Sequence, residues 1–212
     1  MMECQNCVEL CGTAVEAPVL SHENHGERFY RFALRVERLS GQADLPVVLA
    51  GGRLLSLCPV EQGTPLRVTG QLRSFNNKSG VGSRLVITVF ARTLACGDNM
   101  PCNCIRLSGA LCKQPVLRRT PLGRSICDMV LAVNRRYGRA DYLPCIAWGQ
   151  TAAQVAALGV GERLALEGRV QSRTYLKQLP GGAEERTAFE VSVMRLLDEA
   201  QLRADGRTNG IT

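Results

Sequence analysis

The feature that most constrains the fold of this chain is an internal repeat. Residues 6–12, NCVELCG, match residues 103–109, NCIRLSG, at a shift of 97 positions. GQAD at 41–44 matches GRAD at 138–141 at the same shift, and after one additional residue, assigned to Tyr142, the matches continue at a shift of 98. Order and spacing are kept throughout, so the sequence predicts a duplication into two similar domains of about 100 residues each.

The boundary between the two copies is predicted near CGDNMPCN at 96–103, which is rich in turn-forming residues. We therefore expect a first domain over 1–98, a second domain over 99–198 and a short flexible tail over 199–212. The apolar pattern of each copy predicts three strands, a helix and two more strands, with a glycine midway along the fourth strand. This order is typical of an all-β OB-fold barrel of five strands with one short helix; a generic small barrel or sandwich is the alternative.

Four local segments complete this secondary-structure prediction. The helix of the first copy is predicted in GGRLLSLCPV at 51–60, and that of the second in GQTAAQVAALGVG at 149–161. The polar stretches NNKSGVGS at 76–83 and KQLPGGAEER at 177–186 are interpreted as hairpin tips before the last strand of each copy.

Ten cysteines raise the question of disulfides and metal sites. The N-terminus lacks a basic segment followed by a long apolar run, so we expect no signal peptide and a cytoplasmic, nucleoid-associated protein. Free thiols or metal ligands are then expected rather than disulfides. Cys4-x-x-Cys7 is one of two tight spacings, and the cysteines that could in principle supply a second pair are Cys11, Cys96, Cys102 and Cys104. Because no clean pair of CxxC motifs exists, we predict no metal site and no cofactor.

The residues of common enzyme classes are missing from this sequence. It contains neither a GxxxxGK[ST] phosphate loop nor an HExxH motif. The two histidines, His22 and His25, lie in a polar stretch that we interpret as a solvated loop. We therefore predict a protein that is not an enzyme. No run approaches the ~18 apolar residues needed to cross a bilayer, so no membrane partner is expected.

The second copy contains a series of motifs in a characteristic order. SGALCKQPVLRR at 108–119 is followed by LAVNRR at 131–136, WGQTAAQ at 148–154 and GERLALEGRVQSRTY at 161–175. In order and spacing these motifs resemble the bacterial single-stranded DNA-binding protein family over about 103–197. The sequence departs from the family pattern in two places, where acidic residues are replaced by KQ before the proline and by AQ in the helix.

The resemblance implies a set of aromatic residues on which DNA bases stack. The chain has ten aromatic residues, and four of them occupy these positions: Tyr137, Tyr142, Trp148 and Tyr175. Stacking suits a protein without sequence preference because every base has a π-face. The competing interpretation is that Tyr142 and Trp148 are core residues of a buried third strand.

Positive charge is concentrated in the same copy. Residues 1–98 contain ten basic and nine acidic side chains, whereas the rest of the chain contains sixteen and ten. The basic residues predicted to contact phosphates are Arg118, Arg119, Arg124, Arg135, Arg136, Arg139, Arg173 and Lys177. A solvated basic face is the alternative, in a chain that has 23 arginines and 3 lysines.

The first copy lacks the aromatic set. By the alignment above, the corresponding positions are Ser40, a deletion near Leu45, Ala50 and Asn77, and only Phe75 lies close to any of them. The first domain is therefore interpreted as a degenerate OB-fold whose role is to pair with the second copy or to build an oligomer.

These features lead to a functional prediction with one main alternative. We expect binding of single-stranded DNA without sequence preference in replication, recombination or repair. The family commonly assembles four OB domains, so two copies per chain imply a homodimer. The alternative is a primosomal or mobile-element protein-interaction module that contacts replication or repair proteins and binds nucleic acid weakly; RNA binding is also open. The C-terminal sequence lacks the family's acidic tip, which argues against partner recruitment by that route.

Overall fold

The structure is a computed structural model of the chain. It describes residues 5–77, 83–97, 100–179 and 182–198. The side chains of Arg136, Lys177 and Leu179 lie outside this description, as do the tail predicted over 199–212 and most of the first predicted hairpin tip. Among the described residues, no helix has the length and apolar character that a membrane span requires.

Strands dominate both copies. The first copy contains β1 (Asn6–Ala14), β2 (Val19–Asn24), β3 (Glu27–Glu37), β4 (Ala43–Asp44), β5 (Val47–Gly51), α1 (Gly52–Leu57), β6 (Pro65–Asn76) and β7 (Leu85–Cys96). The second copy contains β8 (Cys102–Leu111), β9 (Val116–Arg119), β10 (Ser125–Asn134), a 3-10 turn (Arg136–Gly138), β11 (Ala140–Trp148), α2 (Gly149–Ala156), β12 (Arg163–Leu179) and β13 (Gly182–Leu197). Both predicted helices are present at the predicted places.

Each copy forms a closed barrel of five strands. In the first copy the order is β1-β3-β5-β7-β6, and β6 returns to β1. In the second copy β8-β10-β11-β13-β12 closes in the same way. The third and fifth long strands of each copy run parallel, whereas the other pairs for which a register is given are antiparallel. This is the strand order of the OB-fold, so the predicted fold class is confirmed.

The fourth strand of each barrel requires a residue without a side chain at one point. A Cβ atom at Gly70 would overlap the carbonyl oxygen of Phe90, and a Cβ at Gly168 would overlap that of Ser192. In the first copy the register between β6 and β7 shifts next to Gly70, between it and Thr69. The glycines therefore allow the close approach of the neighbouring strand, as their mid-strand positions predict.

Large apolar side chains fill both barrels. Fully buried residues of the first include Leu10, Phe32, Leu34 and Leu66, and those of the second include Leu107, Met129, Leu131 and Leu143. Each such side chain stabilises the fold by about 1.5–3 kcal/mol relative to an exposed position. The barrels therefore provide rigid scaffolds on which the outer faces can vary.

The chain divides into two compact units that differ from the two halves of the sequence. One unit comprises Met1–Cys7, Ile105–Arg169 and Val191–Thr212, and the other comprises Val8–Cys104 and Val170–Glu190. The outer part of the β12–β13 hairpin thus belongs to the unit that contains the first copy.

Hydrogen bonds within the unit that contains the first copy anchor the outer part of the β12–β13 hairpin. The backbone N–H of Ser172 donates to the Asp44 carboxylate at 3.3 Å. The Asn103 amide donates to the Val170 carbonyl at 2.8 Å, and its oxygen accepts from the Val170 N–H at 2.9 Å. Strand β12 is thereby held near its middle.

Two local features differ from the sequence prediction. His22 lies in β2, which pairs with β3, and not in a loop. Strands β12 and β13 continue through most of the segment 177–186 that was interpreted as a hairpin tip. Both differences arise because hydrogen bonding to a neighbouring strand outweighs the polar character of these segments.

Disulfide bonding also differs from the expectation of free thiols. Cys58 and Cys96 form a disulfide that joins the end of α1 to the end of β7, with their Cα atoms 6.4 Å apart, and Cys7 is likewise disulfide-bonded. Six other cysteines of the described residues form no disulfide bond: Cys11, Cys102, Cys104, Cys112, Cys127 and Cys145. Sequence spacing could not reveal the first pair because its members are 38 residues apart.

Strand register corrects the alignment of the two copies. Gly51 pairs with Phe29 across β5 and β3, and Trp148 pairs with Ile126 across β11 and β10. Ile126 lies 97 positions after Phe29, and Trp148 lies 97 positions after Gly51. The shift of 97 therefore persists to the end of the third long strand. The additional residue of the second copy therefore lies beyond Trp148, and not at Tyr142.

Candidate nucleic-acid interface

Strand β11 presents two aromatic side chains on its outer face. Tyr142 and Trp148 are six residues apart, and alternate residues of a strand project to the same side. Tyr142 is 50% exposed and Trp148 is 39% exposed, whereas the residues that project to the other side, Leu143, Cys145 and Ala147, are buried. The interpretation of the two aromatics as core residues is therefore wrong. A rise of ~3.3 Å per residue places them about 20 Å apart.

The surface between the two rings is mainly apolar. Pro144 is half-buried, and Ile146 and Ile126 are buried although they lie on this outer face. Trp148 is directly opposite Ile126, so its ring stands at the edge of this apolar floor. Gly149, with φ of +56°, follows Trp148 and lets the chain turn from β11 into α2. The floor and the two rings together form a shallow surface suited to flat apolar groups.

Arg118 stands on the same face but shares its charge with a carboxylate. It lies opposite Ile126 on β9, and its guanidinium binds Asp128 through two nitrogens, of which Nη2 is 3.1 Å from Oδ1. Its positive charge is therefore partly offset in the folded protein.

The turn between β9 and β10 displays two further arginines. Arg119 and Arg124 are exposed, and neither forms an ion pair within the described part of the chain. Thr120 closes this turn, because its N–H donates to the Arg124 carbonyl at 2.9 Å and its hydroxyl accepts from the Arg124 N–H at 3.1 Å. These two side chains present unshared positive charge beside the aromatic face.

Tyr137 lies at the tip of the connection between β10 and β11. Its side chain is 96% exposed, and its φ of +64° is in the left-handed region that residues other than glycine rarely adopt. Such a conformation costs on the order of 1 kcal/mol and must be held by its surroundings. The backbone N–H of Arg135 donates to the Arg139 carbonyl at 2.7 Å and closes the loop beneath Tyr137.

A buried ion pair supports the same loop. Asp141 is fully buried and accepts from Arg135 Nε at 2.5 Å and from its Nη2. In the first copy Arg38 binds the buried Asp44 in the same way, with Nε at 2.7 Å. Because the pair recurs in a copy without the aromatic set, it braces the loop in both domains. This role of Arg135 was not apparent from the sequence.

The fourth predicted aromatic, Tyr175, lies on β12 in the other compact unit. The guanidinium carbon of Arg173 is 5.9 Å from the centre of its ring, which is the geometry of a cation–π contact. Thr174 and Thr187 face each other across the hairpin at 3.5 Å. Arg173 and Tyr175 therefore form a basic and aromatic pair on the β12–β13 hairpin.

The remaining predicted site residues are only partly described. Arg139 is exposed at the end of the loop that carries Tyr137. The side chains of Arg136 and Lys177 lie outside the described part of the structure.

The first copy has an aromatic cluster on its outer face that the sequence comparison missed. The His22 and Phe29 rings stack with centres 5.1 Å apart, and Phe29 contacts Phe90 at 5.9 Å. The Arg73 guanidinium lies over the Phe90 ring at 5.8 Å. The cluster was missed because its members come from four strands and do not occupy the family positions. Its ring faces are partly covered by one another and by Arg73.

Comparison with known proteins agrees with these observations. The model of the Single-strand binding protein family matches residues 102–197, close to the range of the resemblance. Single-stranded DNA-binding protein 3 of Listeria innocua is 39% identical over 114 residues, which cover 50% of this chain and 71% of that protein. Single-stranded DNA-binding protein A of Bacillus subtilis is 37% identical over 83 residues, covering 36% of this chain and 48% of that protein. The chain thus spans only about half the length of several curated relatives.

A solved structure extends the likeness of fold to both copies. The wild-type single-stranded DNA-binding protein of Thermus aquaticus superimposes with a TM-score of 0.73 and covers 91% of this chain and 91% of its own, at 24% identity. Together, the strand order, the motifs of the second copy and the Listeria relative show that the chain belongs to the single-strand binding protein family.

Proposed function

We propose that this protein binds single-stranded DNA with little sequence preference through the outer face of its second copy. The observation that carries the proposal is the pair of exposed rings, Tyr142 and Trp148, on one face of β11 above an apolar floor. Each ring stacks with one base and contributes ~1–3 kcal/mol. Membership of the family and the names of its relatives support the same substrate.

Phosphate binding is assigned to arginines whose charge is not shared with a carboxylate. Arg119, Arg124 and Arg139 are exposed around the aromatic face, and each neutralises a backbone phosphate on binding. Arg118 and Arg135 are already paired with acidic partners, so they contribute less to affinity. Arg136 and Lys177 complete the proposed phosphate contacts.

Two further aromatics are assigned to base stacking in this proposal. Tyr137 presents an almost fully exposed ring at the tip of a braced loop, so it can stack without first being uncovered. Tyr175 and Arg173 supply one base contact and one phosphate contact on the β12–β13 hairpin.

The first copy is proposed to act in assembly. The position equivalent to Trp148 is Gly51, and the rings of Phe29 and Phe90 are engaged by neighbouring side chains. A homodimer of two-copy chains would present four OB domains. In this proposal the protein acts in the cytoplasm on the nucleoid, in replication, recombination or repair, and it catalyses no reaction.

Equilibrium binding measurements test the proposal. Fluorescence anisotropy of labelled dT oligonucleotides, mixed-sequence single strands, RNA and duplex DNA should give similar affinities for the two single-stranded DNAs and much weaker binding to duplex. Preference for duplex would contradict the proposal, and tighter binding to RNA would reassign the substrate. No binding to any of these probes would favour the protein-interaction alternative.

A further inference from the structure

Two thiols and a carboxylate converge at one place in the unit that contains the first copy. One oxygen of Glu9 and the sulfur atoms of Cys11 and Cys102 all lie within 4.8 Å of one another. Glu9 and Cys11 are two residues apart on β1 and project to the same side, whereas Cys102 begins β8. We propose that Glu9, Cys11 and Cys102 form a binding site for a thiophilic divalent metal ion such as zinc, with water as the fourth ligand.

The donor atoms suit this class of metal. Thiolate sulfur and carboxylate oxygen are both ordinary zinc ligands, at ~2.3 Å and ~2.0–2.2 Å respectively. In a tetrahedral site these bond lengths place the donor atoms about 3.6–3.8 Å apart. The observed cluster is therefore within about 1 Å of the required geometry, which side-chain rotation supplies. Binding replaces one proton on each thiol by a bond to the metal and releases two protons.

The charges around the cluster balance a divalent ion. Arg67 lies opposite Cys11 on β6 and donates to the Glu9 carboxylate at 2.5 Å. Two thiolates and one carboxylate carry three negative charges, which a divalent metal and the Arg67 guanidinium together neutralise. Cys11 is only 4% exposed, so an unbalanced charge would be costly at this place.

The second copy has a different arrangement at the same positions. Arg106 and Ser108 stand where the first copy has Glu9 and Cys11, and Arg106 donates to Glu167 at 2.9 Å. The two ligands that β1 supplies, Glu9 and Cys11, therefore have no counterparts of the same chemistry on β8. Sequence spacing could not reveal it, since Cys11 and Cys102 are 91 positions apart.

The metal would join the first strand of the first copy to the start of β8. The proposal does not depend on DNA binding, because none of the three ligands belongs to the proposed DNA surface. Its expected consequence is a metal-dependent rise in the melting temperature of the reduced protein.

Cobalt titration of the reduced full-length protein tests the site. We expect one Co²⁺ per chain, with sulfur-to-metal charge-transfer absorption in the near ultraviolet that Zn²⁺ abolishes by displacement. Cys11→Ser and Cys102→Ser should each remove this absorption, and Glu9→Gln should weaken Co²⁺ binding at least tenfold. Cys112→Ser, which changes an exposed thiol of the other compact unit, should leave this absorption unchanged.

Several results would overturn the proposal. These are no charge-transfer band in the wild-type protein, a band that survives in both cluster variants, or a Cys11–Cys102 disulfide found by peptide mass spectrometry in protein purified without reductant. Serine is tolerated at the equivalent position of the second copy, Ser108, so Cys11→Ser should fold. Circular dichroism checks this, and the half-buried Cys102 provides an independent variant.

Discussion

Trp148 occupies the register position in the second barrel that Gly51 occupies in the first. Each is the last residue of the third long strand and directly precedes the helix; Trp148 lies opposite Ile126, and Gly51 lies opposite Phe29. The same backbone therefore supports a ring in one copy and no side chain in the other. This difference divides the two domains between proposed DNA binding and proposed assembly.

Replacing Tyr142 by the residue that the first copy has at this position should weaken DNA binding by the second copy. By register, Leu45 is the counterpart of Tyr142, and both are about half exposed. Tyr142→Leu removes one stacking platform, so affinity for a dT oligonucleotide should fall about 5- to 150-fold, equivalent to ~1–3 kcal/mol.

Leu45→Ala is the matched control for that variant. Its effect on affinity should stay within about twofold, as for other surface substitutions. If anisotropy titrations showed that Tyr142→Leu and Leu45→Ala lose the same affinity for the dT oligonucleotide, the assignment of the binding face to the second copy would be contradicted.

The salt dependence of binding should identify the arginines that contact phosphates. Each phosphate contact on a single strand contributes about −0.7 to the slope of log K against log salt. Arg124→Gln should make the slope shallower by about that amount. Arg92→Gln, an exposed arginine of the first copy, is the control and should leave the slope unchanged. An unaltered slope for Arg124→Gln would remove it from the proposed surface.

A carboxylate in the second barrel should give a pH-dependent contribution to stability. Glu167 accepts from Arg195 at 3.1 and 3.2 Å and from Arg106 at 2.9 Å, and these bonds hold its pKa below the usual value of 4.5. A lowered folded-state pKa stabilises the protein above the ordinary pKa, and this stabilisation is lost as pH falls through the folded value.

Glu167→Gln should therefore lower the free energy of unfolding by about 1–2 kcal/mol at pH 7. The difference from wild type should narrow as the pH falls below 4.5 in urea denaturation series. Glu61→Gln changes an exposed carboxylate and serves as the control. A difference that grew at acid pH would show that the ion pairs do not stabilise the fold.

The Cys58–Cys96 disulfide should stabilise the first barrel. Closing a loop with a sequence separation of 38 is expected to stabilise by about 4 kcal/mol, mainly by restricting the unfolded chain. The Cys58→Ser/Cys96→Ser double variant should melt at a lower temperature than the wild type without reductant. An unchanged melting temperature would mean that the bond is not formed in the protein in solution.

Sequence patterns predicted the fold well because they record which residues face the core. Alternation and the mid-strand glycines indicated the barrel strands. The family resemblance predicted base stacking by Tyr142 and Trp148, and both side chains are exposed on one face of β11. The pattern did not determine the position of the inserted residue. The shift of 98 after Tyr142 pairs residues by type and ignores the strand register, which keeps the shift of 97 as far as Gly51 and Trp148.

Features that depend on distant pairing could not be predicted. The Cys58–Cys96 bond and the cluster of Glu9, Cys11 and Cys102 join segments far apart in the sequence. Arg135 was assigned to phosphate binding because it adjoins Tyr137, whereas its partner is a buried carboxylate six residues later. In the sequence, an arginine beside an aromatic residue looks the same whether it binds phosphate or forms a buried ion pair.

Fluorescence of the single tryptophan tests the central claim most directly. Titration of the full-length protein with dT oligonucleotides at low and high salt reports only on Trp148, because the chain has no other tryptophan. A base stacked on the ring predicts strong quenching that requires more DNA as salt rises. DNA binding detected by anisotropy without any change in Trp148 emission would contradict the account and place the bases elsewhere on the protein.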